Sequence, residues 1–189
     1  MSDPARASGG PADYARVCVD CLVTGRAVPS APDDALFSRR AACFVSLKKD
    51  GRLRGCIGTL EPAESDLGAE IARNARSAAL DDPRFAAVRE DELAALACSV
   101  DVLSTSEPST LQDLDPRVYG VIVVAGYRRG VLLPDLEGID SAAQQVDVAL
   151  QKAGIRRDEG FTVRRFTVTR YHEGESPGAA ARQTGEVHD

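Results

Sequence analysis

The chain contains no tryptophan, one methionine and two histidines among 189 residues. It therefore has few of the side chains that bind metals or that lie at membrane interfaces. No stretch approaches the roughly 18 consecutive apolar residues of a membrane-spanning helix. The first residues, MSDPARASGG, have no apolar core and do not resemble a secretory signal. Cysteine occurs five times. An odd cysteine number in a chain of this length favours reduced thiols and a cytoplasmic location over a disulfide scaffold.

Metal and cofactor motifs are also missing. His172 and His188 form no HxxxH or HExxH pair, and neither a Walker loop nor a GxGxxG turn is present. Cys18 and Cys21 form a CxxC pair, but no second pair completes the four ligands of a structural zinc site. Their spacing places both on the apolar stripe of a predicted helix, where we expect core packing. We therefore expect no metal and no cofactor.

The composition that is present is typical of a globular domain, with 43% hydrophobic and 28% charged residues. The net charge is −6 and the isoelectric point is near 5.0. This acidic balance argues against general binding to nucleic acid or to an anionic membrane surface.

Helix and strand patterns alternate along the chain and favour hairpins over regular βαβ crossovers. Helices are predicted from Asp13 to before Gly25, from Glu64 to Leu80 with Ser65 or Asp66 as cap, and from Ser141 to Lys152 with Gly154 past its end. A short helix is predicted over residues 90–96. Strands are predicted at 41–48, 52–60, 97–104, 121–125, 130–133 and 161–172. The sequence therefore predicts an α+β fold with a mainly antiparallel sheet flanked by helices.

The two ends of the chain lack a core-forming pattern. Residues 1–12 and 174–189 are rich in small and polar residues, and we expect both to be disordered. One folded domain is then expected over residues 13–173.

The segment LRGCIGTL, residues 53–60, carries the strongest chemical signal. In a strand, Leu53 and Ile57 would face the core, and Arg54 would share the other face with Cys56. A guanidinium beside a thiol favours the reactive thiolate. Gly55 and Gly58 carry no side chains, and we expect them to leave this face open to a ligand or partner. The alternative is a buried cysteine that packs as a small hydrophobe, beside glycines that form a bulge.

Two further features could contribute to a site. His172 could complete a Cys–His dyad with Cys56, but nothing in the sequence requires it. The turn Asp82-Pro83-Arg84-Phe85 follows a predicted helix, and its simplest role is to end that helix with Phe85 in the core. Alternatively, Arg84 could bind a carboxylate or phosphate through its guanidinium.

Taken together, these segments resemble the AMMECR domain family, and most closely its bacterial members, which are known as protein A of the AmmeMemoRadiSam system. Besides LRGCIGTL, the resemblance is carried by SAALDDPRF at 77–85, DELAALACSVDVLS at 91–104, YGVIVVAGYRRGVLLP at 119–134, QKAGI at 151–155 and FTVRRFTVTRYH at 161–172. It implies a larger lobe on an antiparallel sheet and a smaller second lobe. The suspected site residues are Arg54, Gly55, Cys56, Gly58, Thr59, Asp82, Arg84 and Phe85.

The resemblance also implies partners, namely a Memo-like protein and a radical-SAM enzyme. One hypothesis is therefore a non-catalytic partner or substrate-handling subunit that presents LRGCIGTL as a binding site for a protein or a small molecule. The other is an enzyme that uses Cys56 as nucleophile or covalent carrier, with Arg54 activating it. A third reading, nucleic-acid binding, is weakened by the net charge.

Overall fold

The computed structural model describes residues 6–175, and the chain divides into two compact units with boundaries after Val102 and after Thr169. The helices are α1 (Pro11–Val23), α2 (Ala35–Ser38), α3 (Leu67–Arg76) and α4 (Ala142–Ala153). The strands are β1 (Cys43–Lys49), β2 (Arg52–Gly58), β3 (Leu96–Leu103), β4 (Glu107–Ser109), β5 (Gly120–Ala125), β6 (Arg128–Leu132), β7 (Thr162–Phe166) and β8 (Val168–His172). Within residues 6–175, no helix is both long and apolar enough to cross a membrane.

The first unit contains a four-stranded sheet in the order β2-β1-β3-β8, with β1 antiparallel to both of its neighbours. Helices α1 and α3 pack on one face of this sheet. The alternate residues of β1 and β3 that point to this face form the core with the apolar stripes of the two helices, and they are Cys43, Val45, Leu47, Cys98, Val100 and Val102. The opposite face of the sheet carries the alternate residues, which include Ser46, Lys48, Ser99 and Asp101, and we call it the outer face.

The second unit contains another four-stranded sheet, in the order β4-β7-β5-β6. Helix α4 packs on β5 and β6 through Val146, Ala149 and Leu150. Ser141 caps this helix by accepting a hydrogen bond from the backbone N–H of Gln144, and Gly154 ends it with a left-handed φ of 62°. Both ends agree with the sequence prediction. The two antiparallel sheets with packed helices confirm the α+β class.

The structure differs from the predicted elements at several ends. Helix α1 begins at Pro11 and not after Asp13, whose carboxylate instead accepts a hydrogen bond from the backbone N–H of Gly10 over 2.9 Å. Gly10, Pro11 and Ala12 are buried, so the folded part extends into the segment that was expected to be disordered. At the other end, the backbone N–H of Gly174 donates to Asp13 over 2.8 Å, while residues 176–189 of the predicted disordered tail lie outside the described residues.

Two predicted elements turn out to be composite. The predicted helix 64–80 consists of α3, capped by Asp66, and a turn of π-helix over Ser77–Asp81. The predicted last strand 161–172 is broken at Thr167 into β7 and β8, which belong to different sheets. A short strand, β4, had no signal in the sequence analysis, because its three residues include Pro108. The predicted short helix 90–96 is a 3₁₀-helix over Glu90–Ala95.

Candidate functional site

The LRGCIGTL segment lies on β2, the edge strand of the first sheet, and β2 pairs with β1 in the hairpin that the Asp-Gly pair predicts. Asp50 and Gly51 both have positive φ angles, 51° and 77°, as a tight hairpin turn between twisted strands requires.

A β-bulge interrupts this hairpin and changes the direction of its side chains. Leu47 pairs with Gly55 and Lys48 pairs with Leu53, so Arg54 is the extra residue on β2. The residues of β2 that precede the bulge therefore point to the opposite faces from those that strict alternation predicts. Leu53 is 45% exposed, and its predicted place in the core is wrong, whereas Ile57 packs against the core as expected.

Arg54 is held on the core side of the sheet by a buried carboxylate. Its Nε and Nη2 atoms donate to the two oxygens of Glu92 over 3.0 and 2.9 Å, and Nη1 donates to the carbonyl of Ala86 over 2.9 Å. Lys49, which alternates with the core residues of β1, donates to the same carboxylate over 3.1 Å. Hydrogen bonds from Arg54 lower the pKa of Glu92 well below its ordinary value. The prediction that Arg54 shares a face with Cys56 is therefore wrong.

The backbone of Cys56 is held by an ion pair from the turn after α3. Its N–H donates to Asp82 Oδ2 over 2.9 Å, and its carbonyl accepts from Arg84 Nη2 over 2.8 Å. Arg84 also donates to both oxygens of Asp82 over 3.0 and 2.8 Å. These hydrogen bonds lower the pKa of the buried Asp82 carboxyl far below its usual range. Since outward backbone groups of an edge strand otherwise lack partners, the Asp82–Arg84 pair completes the strand at Cys56.

Phe85 does not fill the core. Its ring is half-buried and lies between two guanidinium groups, 5.5 Å from that of Arg84 and 6.0 Å from that of Arg54. These distances fit cation–π contacts. The turn residues thus hold both arginines of the site in place, and Arg84 is already paired with a carboxylate of the chain itself.

The side chain of Cys56 points to the outer face, where it meets hydroxyl groups. Ser46 Oγ donates to Cys56 Sγ over 3.1 Å, and Ser46 is also directly opposite Ser99 on β3. Cys56, Ser46 and Ser99 therefore form one line across three strands, and each is partly exposed. Directly opposite residues in antiparallel strands lie about 4.5–5.5 Å apart, so this cross-strand row is about 10 Å long. Cys56, the thiol of the predicted site, is therefore partly exposed at one end of this row.

The two glycines of the motif accommodate other atoms of the protein. A Cβ atom at Gly55 would come within 2.2 Å of the carbonyl oxygen of Ala78. One at Gly58 would come within 2.3 Å of the ring of Phe44 and 2.6 Å of the carbonyl oxygen of Cys43. Neither glycine has a positive φ angle. The expectation that both glycines leave an open face beside the thiol is therefore wrong.

Thr59 has a structural contact as well. Its hydroxyl donates to Glu70 Oε1 over 2.5 Å, and Glu70 is fully buried. The same carboxylate accepts from the backbone N–H groups of Ala63 and Glu64, each over 2.8 Å. This carboxylate anchors the loop between β2 and α3.

The other thiols are core residues, as predicted for the CxxC pair. Cys18, Cys21, Cys43 and Cys98 are buried, and all five thiols are free. Burial raises the pKa of Cys18 and of Cys43 to about 12 and raises that of Cys98 further. Among residues 6–175, no group of three or more His, Cys, Asp or Glu side chains is arranged to hold a metal ion.

His172 does not form a dyad with Cys56. It is exposed at the end of β8, and β8 lies three strands away from β2. Three strand spacings amount to roughly 14 Å, far beyond hydrogen-bond reach.

Sequence reasoning missed the residues that contact the motif from other strands. Phe44 and Ser46 occupy alternate positions of β1, and Ser99 occupies one on β3, but only the strand register aligns them with Cys56. Glu92 was missed because its helix is short and irregular. The available signal was the position of Glu92 three residues after Arg89, because a glutamate there can accept a hydrogen bond from the backbone N–H of the residue that caps the helix. Glu92 accepts this hydrogen bond from Arg89.

The fold and this edge-strand site define a two-unit α+β protein in which an ion pair joins the cysteine motif to the turn after α3. The family model of AMMECR1 matches residues 12–175, and the chain belongs to this family. It is 52% identical over 145 residues to a protein of Thermotoga maritima, covering 75% of this chain and 83% of that one. It is 46% identical over 155 residues to a protein of Clostridium acetobutylicum, covering 80% of this chain but 33% of that one.

A solved structure has the same fold. The crystal structure of an uncharacterised protein from Pyrococcus horikoshii matches with a TM-score of 0.75 and 28% identity, over 89% of this chain and 92% of that one. The present chain spans only a third of the Clostridium relative, so most of that relative lies outside the match.

Proposed function

We propose that this chain is a non-catalytic partner or substrate-handling subunit of an Amme–Memo–radical-SAM system, in which the LRGCIGTL strand and its cross-strand row form the binding site. The observation that carries the proposal is the hydrogen bonding of Cys56. Its backbone groups are fixed by Asp82 and Arg84, and its thiol meets a hydroxyl donor, Ser46, 3.1 Å away. Such a site is rigid and polar.

Both arginines near Cys56 are engaged by carboxylates. Arg54 is paired with Glu92, and Arg84, which also interacts with Cys56, is paired with Asp82. His172 lies on a distant strand. A nucleophile normally needs a base within hydrogen-bond reach. In the described part of the chain no such base contacts the thiol, which favours binding over turnover.

A role beside other proteins is supported by the Clostridium relative, because this chain matches only 33% of it. The matching domain there is joined to a larger chain. A Memo-like protein and a radical-SAM enzyme are the partners we propose. Free thiols on all five cysteines support a reducing compartment, and we propose the cytoplasm.

Titration of this chain with a purified Memo-like protein and a purified radical-SAM enzyme tests the proposal. The double variant Ser46→Val/Ser99→Val removes two hydroxyls of the row and keeps strand-forming residues. We expect at least a tenfold loss of affinity. Thr162→Val, an exposed hydroxyl on β7, is the matched control and should bind as the wild type does. Equal binding by all three chains, or no binding by any, overturns the proposal.

Cys56→Ser separates the two hypotheses. The variant keeps a small polar group in the row, so a binding subunit should retain its affinity and the assembled system its turnover. If binding is retained but turnover by the assembled system stops, and a covalent adduct appears on wild-type Cys56 in intact-mass spectra, the enzyme hypothesis replaces the binding hypothesis.

A further inference from the structure

The tip of the β1–β2 hairpin differs in charge from the rest of the chain. Residues 48–54, KKDGRLR, contain four cationic side chains and one carboxylate, whereas the whole chain has a net charge of −6. We call these residues the hairpin tip. A surface cleft of about 430 Å³ is lined by Lys49, Asp50, Arg52, Leu53 and Arg54.

Two of the four cations are available for a partner. Lys49 and Arg54 share the carboxylate of Glu92. Lys48 and Arg52 are exposed, and within residues 6–175 their side chains make no ion pair or hydrogen bond. Glu92 offsets part of the positive charge of the other two, so the tip remains cationic.

An exposed apolar side chain is adjacent to both free cations. Leu53 pairs directly with Lys48 and shares its face of the hairpin, whereas Arg52 precedes Leu53 on β2 and pairs with Lys49 on the other face. The bulge at Arg54 turns Leu53 away from the core, and it is one of three large apolar side chains that are more than a third exposed in the described chain. An exposed leucine flanked by cations matches a protein segment that carries both carboxylates and an apolar residue.

We propose that the hairpin tip docks an acidic segment of a partner protein. One carboxylate of that segment pairs with Arg52 at the cleft, another pairs with Lys48 beside the cleft, and an apolar side chain of the segment packs on Leu53. This inference rests on the proposed function, since it adds a second surface by which the subunit contacts its protein partner. It places that contact outside the cross-strand row.

Nucleic acid is a poorer fit to the same surface. Tight binding to nucleic acid needs many cations that contact successive phosphates. Here the four cations of the hairpin tip are accompanied by two carboxylates, Asp50 and Glu92. Leu53 would also remain in water against a phosphate backbone.

Fluorescence anisotropy with a labelled peptide of six glutamates around two central leucines provides the test. We expect saturable binding that weakens as NaCl rises from about 50 to 300 mM, because the ion pairs are exposed. Lys48→Glu/Arg52→Glu should weaken binding at least tenfold. Arg117→Glu/Lys152→Glu changes the net charge equally at exposed positions elsewhere, and should weaken binding less than twofold. Leu53→Ser should weaken binding without changing its dependence on salt.

Several results would overturn the inference. They are equal weakening by both double variants, absence of peptide binding at the lower salt concentration, and tighter binding of a single-stranded oligonucleotide of equal charge. The Memo-like protein then separates this inference from the proposed function. Undiminished binding of that protein by Lys48→Glu/Arg52→Glu refutes the docking surface alone, whereas no binding by the wild type refutes the partner role.

Discussion

Cys56 and Asp82, 26 residues apart, are joined by a hydrogen bond from the backbone N–H of Cys56 to Asp82 Oδ2 over 2.9 Å. The contact links the LRGCIGTL strand to the turn after α3. Arg84 closes the link by donating both to this carboxylate and to the carbonyl of Cys56. These two motifs are therefore one structural unit. The ion pair makes the backbone hydrogen bonds at Cys56 that a neighbouring strand would make.

Asp82→Asn should destabilise the fold at neutral pH by about 1–3 kcal/mol, because a charged hydrogen-bond acceptor is lost. The folded-state pKa of Asp82 lies below its unfolded value of about 3.9, so its stabilisation is complete above that value. It is lost as the pH falls below about 4 towards the folded-state pKa. Urea midpoints at pH 7 and pH 3 should therefore differ less in the variant than in the wild type.

The neighbouring carboxylate provides the control for this prediction. Asp81 is half-exposed, and its contact with Arg76 is 3.6 Å long. Asp81→Asn should change the free energy of unfolding by less than about 0.5 kcal/mol. Equal losses in the two variants would contradict the structural role of Asp82.

Cys56 should react with iodoacetamide at neutral pH faster than the other four cysteines. It is partly exposed, whereas Cys18, Cys21, Cys43 and Cys98 are buried, and burial raises the pKa of Cys18 and Cys43 to about 12. Only the thiolate is nucleophilic. Mass spectrometry after limited labelling will identify the modified residue, and His172→Ala should leave the rate unchanged. Labelling of Cys56 only after denaturation would make it a packing residue.

The double variant Cys18→Ala/Cys21→Ala should lose about 1–3 kcal/mol of stability and no metal, because both thiols pack in the first unit. Urea unfolding measures the stability, and elemental analysis of the purified proteins measures the metal. Stoichiometric zinc in the wild type that disappears in the variant would show that the CxxC pair is a ligand site.

Gly58→Val should destabilise the fold by about 1–3 kcal/mol through overpacking against the ring of Phe44 and the carbonyl of Cys43. Phe44→Ala in the same chain should recover part of this loss, since it removes the Cγ and Cδ1 atoms that a side chain at position 58 would meet. Gly160→Val is the control, because a Cβ atom there meets nothing within 4 Å. A normal urea midpoint with slow Cys56 labelling would instead support an open site at Gly58.

Local patterns predicted much of the fold because the interactions that form these elements are short in sequence. Asp50-Gly51 specified the hairpin turn, Asp66 and Ser141 were recognisable caps, and Gly154 ended α4. The strand predicted at 97–104 corresponds to β3. Each of these features depends on neighbours within a few positions of the chain.

The sequence by itself determined the α+β class, the family and the strand that carries Cys56. The tertiary structure decided the surroundings of the thiol. The bulge at Arg54 reversed the expected faces, because a single unpaired residue shifts every side chain before it. Asp82, Glu92 and Ser46 then acquired their roles through contacts with residues 10 to 38 positions away. Strand register and the packing of turns determine such contacts. Neither leaves a repeating pattern of residues in a single sequence.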